Sequence, residues 1–145
     1  MDETKEDECE QHQELADYLD AARTYLNVIA GKGASTPGLS FDEEFDGLAE
    51  QLRLASLKLA IFEDLFPESI DVIAAAANLS DLTLAVMGLD VFRRTAEPDA
   101  HLIFRVREQV LPLFAKLLTA VERLRASRGC SSFEDVAKSS RVRES

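Results

Sequence analysis

Apolar residues recur at Phe41, Phe45, Leu48, Leu52, Ala55, Leu59, Phe62 and Phe66, separated alternately by four and three positions. A seam of this period belongs to one long helix whose stripe packs along other helices. Ser40 and Glu43 have the spacing of a capping box at its start. Asp42, Glu43, Glu44 and Asp46 put negative charge where the helix dipole favours it. Pro67 has no amide and disfavours helical geometry at Phe66, so the helix should end at Leu65 or Phe66. About 25 residues would span roughly 38 Å. A second stripe at Leu54, Leu57, Ile61 and Leu65 gives this helix two apolar sides. That pattern fits either the central helix of a bundle or an oligomer contact.

The same reading places a first helix that starts between Glu6 and Gln13 and ends near Ala30. Leu15, Tyr18, Leu19, Ala22, Tyr25, Leu26 and Ile29 form its stripe. Gly31 and Gly33 suit a helix C-cap, and 31–40 reads as an exposed, mobile loop. Pro67 fits the first turn of a third helix. From Ile70 to Ala77 the chain is apolar nearly all round, which predicts full burial. Asn78, Ser80 and Asp81 then offer a stop and a new N-cap, so the spacing favours a fourth helix from Asp81 to about Thr95, with Leu82, Leu84, Ala85, Met87, Leu89, Val91 and Phe92 as its core set. One continuous helix from Glu68 to Arg94 is the alternative, with Gly88 allowing a close helix approach.

Asp99 N-caps the last long helix, Ala100 to Ser127. Its stripes are Ile103, Val106, Val110, Leu113, Leu117 and Leu124, and Leu111, Phe114, Leu118 and Val121. Pro112 lies inside it, where proline costs about 3 kcal/mol and removes one backbone bond. The stripes continue past Pro112, which predicts a kink and not an end. Gly129 closes the helix, and Ser132 begins a short one through Phe133, Val136 and Ala137. The expected fold is an all-α, single-domain antiparallel bundle of about five main helices plus a short C-terminal helix. Residues 1–12 form an acidic, partly disordered N-terminus, 13–137 the bundle, and 138–145 a disordered tail.

Composition adds limits. A chain of 145 residues, 46% apolar and 30% charged, is one globular domain. Cys9 and Cys130 sit near opposite ends, which is no disulfide framework and suits a reducing compartment; a bridge between them would require the termini to meet. The acidic N-terminus is no secretory signal. Asp71, Asn78, Ser80, Asp81 and Asp90 interrupt the apolar region Ile70–Phe92, which therefore reads as buried core and not a membrane span. A cytoplasmic or otherwise intracellular protein is expected.

Net charge is −11, divided as −12 over residues 1–70 and +1 over 71–145. The simplest account is solvated helix faces. The functional account is an acidic face at Asp42, Glu43, Glu44, Asp46 and Glu50 that docks on a basic partner.

Motifs for chemistry are weak. Cys9 and His12 have a metal-compatible spacing but lack a second Cys/His pair nearby, so no metal is expected. His101 lies across a proline turn from Arg94, which breaks any shared helical site. Gly31-Lys32-Gly33 is half a phosphate loop, without the preceding strand or the Gly-Lys-Ser/Thr ending. Glu-x-x-His pairs for a di-iron bundle and serine-nucleophile signatures are absent. The basic residues Arg105, Arg107, Lys116, Arg123, Arg125, Arg128, Arg141 and Arg143 have no aromatic platform, and the pI is about 4.6, so direct nucleic-acid binding is not expected. No cofactor is implied.

The reading is a non-enzymatic protein–protein interaction module: a small adaptor, regulator or inhibitor with an unidentified protein partner. A homodimer through Leu54, Leu57, Ile61 and Leu65 is one form of it. An acidic decoy that blocks a basic nucleic-acid-handling protein is the alternative. A small helical enzyme with an unrecognised site is the third.

Overall fold

The computed structural model describes residues 2–31, 42–93 and 99–130. Among them the chain is all-α, with four helices where five were expected. Helix α1 is Asp2–Gly31, α2 is Asp42–Leu65 and α3 is Ile70–Arg93. Helix α4 covers 99–127 as Asp99–Arg105, a π turn at Val106–Val110, and Leu111–Ser127. α1 packs chiefly on α2, α3 packs on both α2 and α4, and α4 returns to α1. One continuous core runs between them.

Helix α1 starts at Asp2, upstream of the expected window and inside the segment read as partly disordered. The reason is tertiary: His12 is buried and Cys9 is bonded to Cys130, so the acidic turns are held from one side. In α2 the seam from Phe45 to Phe62 is buried as its spacing requires. Each such Leu or Phe contributes about 1.5–3 kcal/mol of burial. Tyr25 of α1 lies over Gly47, where a Cβ would stand 2.3 Å from the ring. Lys58 of α2 reaches back to Glu14, at 2.5 Å, and to Gln11 of α1.

The expected break at Asn78–Asp81 does not occur; α3 is continuous. Asn78 Nδ2 donates to the Ala74 carbonyl at 2.8 Å, so its polar group is satisfied inside the helix instead of ending it. Nor does Pro67 open α3. It lies in the turn before it, and Ser69 is the cap: its Oγ accepts from the Val72 amide at 3.2 Å. The α2–α3 connection is thus a tight antiparallel hairpin.

Pro112 produces a π turn directly upstream of it, closed by Leu111 N–H to the Val106 carbonyl. Such turns absorb one residue that would not fit the α register. The buried positions Leu102, Val106, Val110 and Phe114 are spaced by four, which overshoots a 3.6-residue turn at each step. The wider turn keeps them on the core, so Phe114 and not the half-buried Leu113 continues the stripe. Arg107, in the π turn, donates from Nε to the Ala30 carbonyl at 2.9 Å and caps α1 at its C-terminus. Gly129, at φ 76°, ends α4 as expected. The Ser40 cap, Phe41, Gly33, the Ser132 helix and the 138–145 tail lie outside the described residues.

Candidate interaction surface

Two regions of the bundle combine unusual chemistry with defined geometry: the outward face of α3 and a polar cluster where α1 meets the end of α4.

Helix α3 is apolar on both sides but covered on only one. Val72, Ala75, Leu79, Leu82, Val86 and Leu89 are buried against α2 and α4. Ile70, Ile73, Ala77, Ser80, Leu84, Met87 and Val91 are all exposed. Ile70 is 80% exposed, Leu84 65% and Val91 66%. The expectation of full burial for Ile70–Ala77 is therefore overturned, as is a core place for Leu84, Met87 and Val91. Four helices, the number among the described residues, leave no inner position, so an all-apolar helix shows one face to solvent. This helix is also long and apolar enough, over Ile70–Phe92, to meet the length and composition of a membrane span, and 33% of its most apolar window is buried. A groove of about 310 Å³ runs along the α2–α3 seam, lined by Ser56, Leu59 and Glu63 and by Ala76, Ser80 and Leu84.

The second stripe of α2 also faces out. Leu57, Ile61 and Leu65 are exposed, while Leu54 is half-buried. Helix α2 is therefore not central. Its surplus stripe is shorter than that of α3 and is preceded by Glu50 and Arg53 on the exposed side. Of the acidic residues on α2, Asp42, Glu43, Asp46 and Glu50 are exposed and Glu44 is half-buried. Arg53 donates to both Glu50 oxygens, at 3.0 and 2.6 Å, and holds that carboxyl below its usual range.

The polar cluster is closed. His12 is fully buried, and its ring stacks on Phe62 with centroids 4.5 Å apart and planes 17° from parallel. Neither ring nitrogen has a hydrogen bond, and Nε2 lies 3.7 Å from Glu8. Burial pushes the His12 pKa down, the nearby Arg125 and Arg128 add to this, and Glu8 opposes it. Arg128 Nε donates to Glu8 Oε1 at 2.6 Å, and its guanidinium lies 3.8 Å over the Phe66 ring. Buried Arg125 donates to Gln13 at 3.1 Å and pairs with Glu122 at 3.5 Å. Beside them Cys9 and Cys130 form a disulfide, with Cα atoms 5.3 Å apart. Residues 9 and 130 are therefore brought together, and the two cysteines are one bonded pair and not free thiols. Among the described residues no group of three His, Cys, Asp or Glu side chains could hold a metal ion.

His101 is exposed near the start of α4, far in sequence from this cluster. Arg105 stacks over Phe92 at 4.3 Å, tying α4 to α3, and Arg107 is spent on the α1 C-cap. Arg105 and Arg107 therefore serve structural contacts apart from the Arg125 and Arg128 cluster. Sequence reasoning singled out the α2 stripe and missed the longer one on α3. The signal was present in the 3-4-3-4-3-4 spacing from Ile70 to Val91, offset by two residues from the buried seam that starts at Val72. Comparison of the chain with protein-family models, with curated protein sequences and with solved structures finds no match.

Proposed function

We propose that this chain is a protein-interaction module, a small adaptor, regulator or inhibitor, that works through an exposed apolar helix face and not through catalysis. The observation that carries this reading is the outward face of α3: seven successive positions at 3-4 spacing, all exposed, on a helix whose opposite seam is buried. Contiguous apolar surface of this extent, on a folded helix with satisfied backbone, is characteristic of a docking face. The sealed state of His12 supports the non-enzymatic part, since a buried imidazole stacked under Phe62 offers no proton to a substrate. The acidic-decoy alternative has the exposed Asp42, Glu43 and Asp46 in its favour. It leaves the α3 face without a role, and Arg53 neutralises part of its charge. The disulfide supports a compartment oxidising enough to keep Cys9 bonded to Cys130.

The test is affinity capture from the native host with the full chain and with its Leu84→Glu variant, read by quantitative mass spectrometry. Proteins retained by the native chain should be lost with the variant. The same set retained by both would refute an α3-based interaction function.

A further inference from the structure

We infer that the exposed face of α3 is the seam of a two-fold dimer, and that its occupant is α3 of a second copy running antiparallel. This deepens the interaction reading and rests on it.

The argument begins with period. Ile70, Ile73, Ala77, Ser80, Leu84, Met87 and Val91 repeat strictly as 3-4-3-4-3-4, and every one is exposed. A 3-4 repeat sustained over three heptads is the spacing by which one helix packs along another, and the buried seam of α3, with the same spacing, packs in this way on α2 and α4. Among the described helices only α3 presents such an exposed face over its whole length, so the matching surface is a second α3. The α2 stripe has three exposed members, Leu57, Ile61 and Leu65, and cannot complete two heptads.

Chemistry then selects the register. With Ala77 of one copy against Ser80 of the other, Ile73 meets Leu84 and Ile70 meets Met87, and the two-fold repeats all three layers. Small residues meet at the centre and large ones flank them, which lets the helices approach closely and interdigitate. The positions flanking the seam are Ala74, Ala76, Asp81, Thr83, Gly88 and Asp90. In this register Asp81 faces Ala74, and Ala76 faces Thr83, so no aspartate opposes another. A slip by one heptad would set Asp81 directly against Asp81, a like-charge pair that excludes it. Antiparallel helices also align their dipoles favourably.

The size fits. The four large side chains paired in this register, Ile70, Ile73, Leu84 and Met87, are each more than half exposed. Covering them on both copies removes on the order of 1,000 Å² from water, at the lower edge of specific interfaces. The dimer should accordingly dissociate on dilution.

Sedimentation velocity over a concentration series tests this with the native chain, with Leu84→Glu and Ile73→Lys, and with Leu57→Glu as the control on α2. All three positions are exposed, so circular dichroism should report an unchanged fold. The native chain and Leu57→Glu should dimerise alike, and both α3 variants should weaken the dimer by at least about 10-fold. A photo-crosslinking amino acid at position 80, in mixed isotope-labelled and unlabelled protein, should join two copies at the Ala77 region. A strict monomer at high micromolar concentration, a dimer lost only with Leu57→Glu, or crosslinks mapping to α2 would each overturn the inference. A monomer that binds phosphatidylcholine vesicles through Leu84 would overturn it in favour of a lipid surface. If the chain is monomeric yet Leu84-dependent capture succeeds, the second copy is wrong and the interaction reading stands. If both fail, both are wrong.

Discussion

Breaking the Cys9–Cys130 bond should remove a large part of the stability of this fold. The bond closes a loop with a sequence separation of 121. In the chain-entropy account, a loop of that length lowers the disorder of the unfolded chain by about 5 kcal/mol at 25 °C. A domain of this size has about 5–15 kcal/mol in total. The melting temperature should therefore fall by roughly 10–20 °C. The comparison is urea and thermal unfolding of the oxidised protein against the Cys9→Ser/Cys130→Ser double variant, followed by far-ultraviolet circular dichroism. The variant should also show a steeper denaturant dependence, because an unlinked unfolded chain exposes more surface. A loss below about 1 kcal/mol would refute the loop-entropy reasoning. Two titratable thiols in the denatured, unreduced protein would refute the bond itself.

Two more outcomes follow from local geometry. Burial lowers the His12 pKa in the fold, so below about pH 6.5 the unfolded chain binds the extra proton; stability is full above that pH and declines by up to roughly 1.4 kcal/mol per unit as pH falls towards the folded value. Unfolding series on His12→Leu should lack that part of the decline, and an identical pH profile would show that His12 is not its source. Gly47→Ala forces the Tyr25 ring to move and should destabilise by about 1–3 kcal/mol, whereas in a Tyr25→Leu background the same change should stabilise by up to ~1 kcal/mol through helix propensity. Equal effects in both backgrounds would remove the ring contact as the cause.

The helices that depend on one strong periodic stripe were legible from sequence. The seam from Phe45 to Phe62 is buried position by position, and Gly129 ends α4 where its lack of a side chain predicts. Legibility failed where tertiary contact overrides local chemistry. Asn78 reads as a stop, but its amide finds the Ala74 carbonyl and the helix continues. The acidic first turns of α1 read as frayed, but a contact 121 residues away holds them. Pro112 reads as a kink within one helix, and the chain there takes a π turn whose form depends on the core positions around it. For the candidate surface the limit was different. An all-apolar helix says that both faces avoid water, and only the count of neighbouring layers says which face is uncovered. Among the described residues the two helices expected over 68–95 are one, so the outward stripe runs unbroken from Ile70 to Val91 and no described element covers it.

The position of the disulfide also decides how the molecule bears load. A force that enters before residue 9 and leaves after residue 130 travels through two sulfur atoms and bypasses the bundle. While oxidised, the bundle is inextensible between residues 9 and 130, and only the turns of α1 before Cys9 feel tension. Once reduced, the same pull would act on every helix in turn and could release about 420 Å of chain, given the 121-residue span at roughly 3.5 Å per residue.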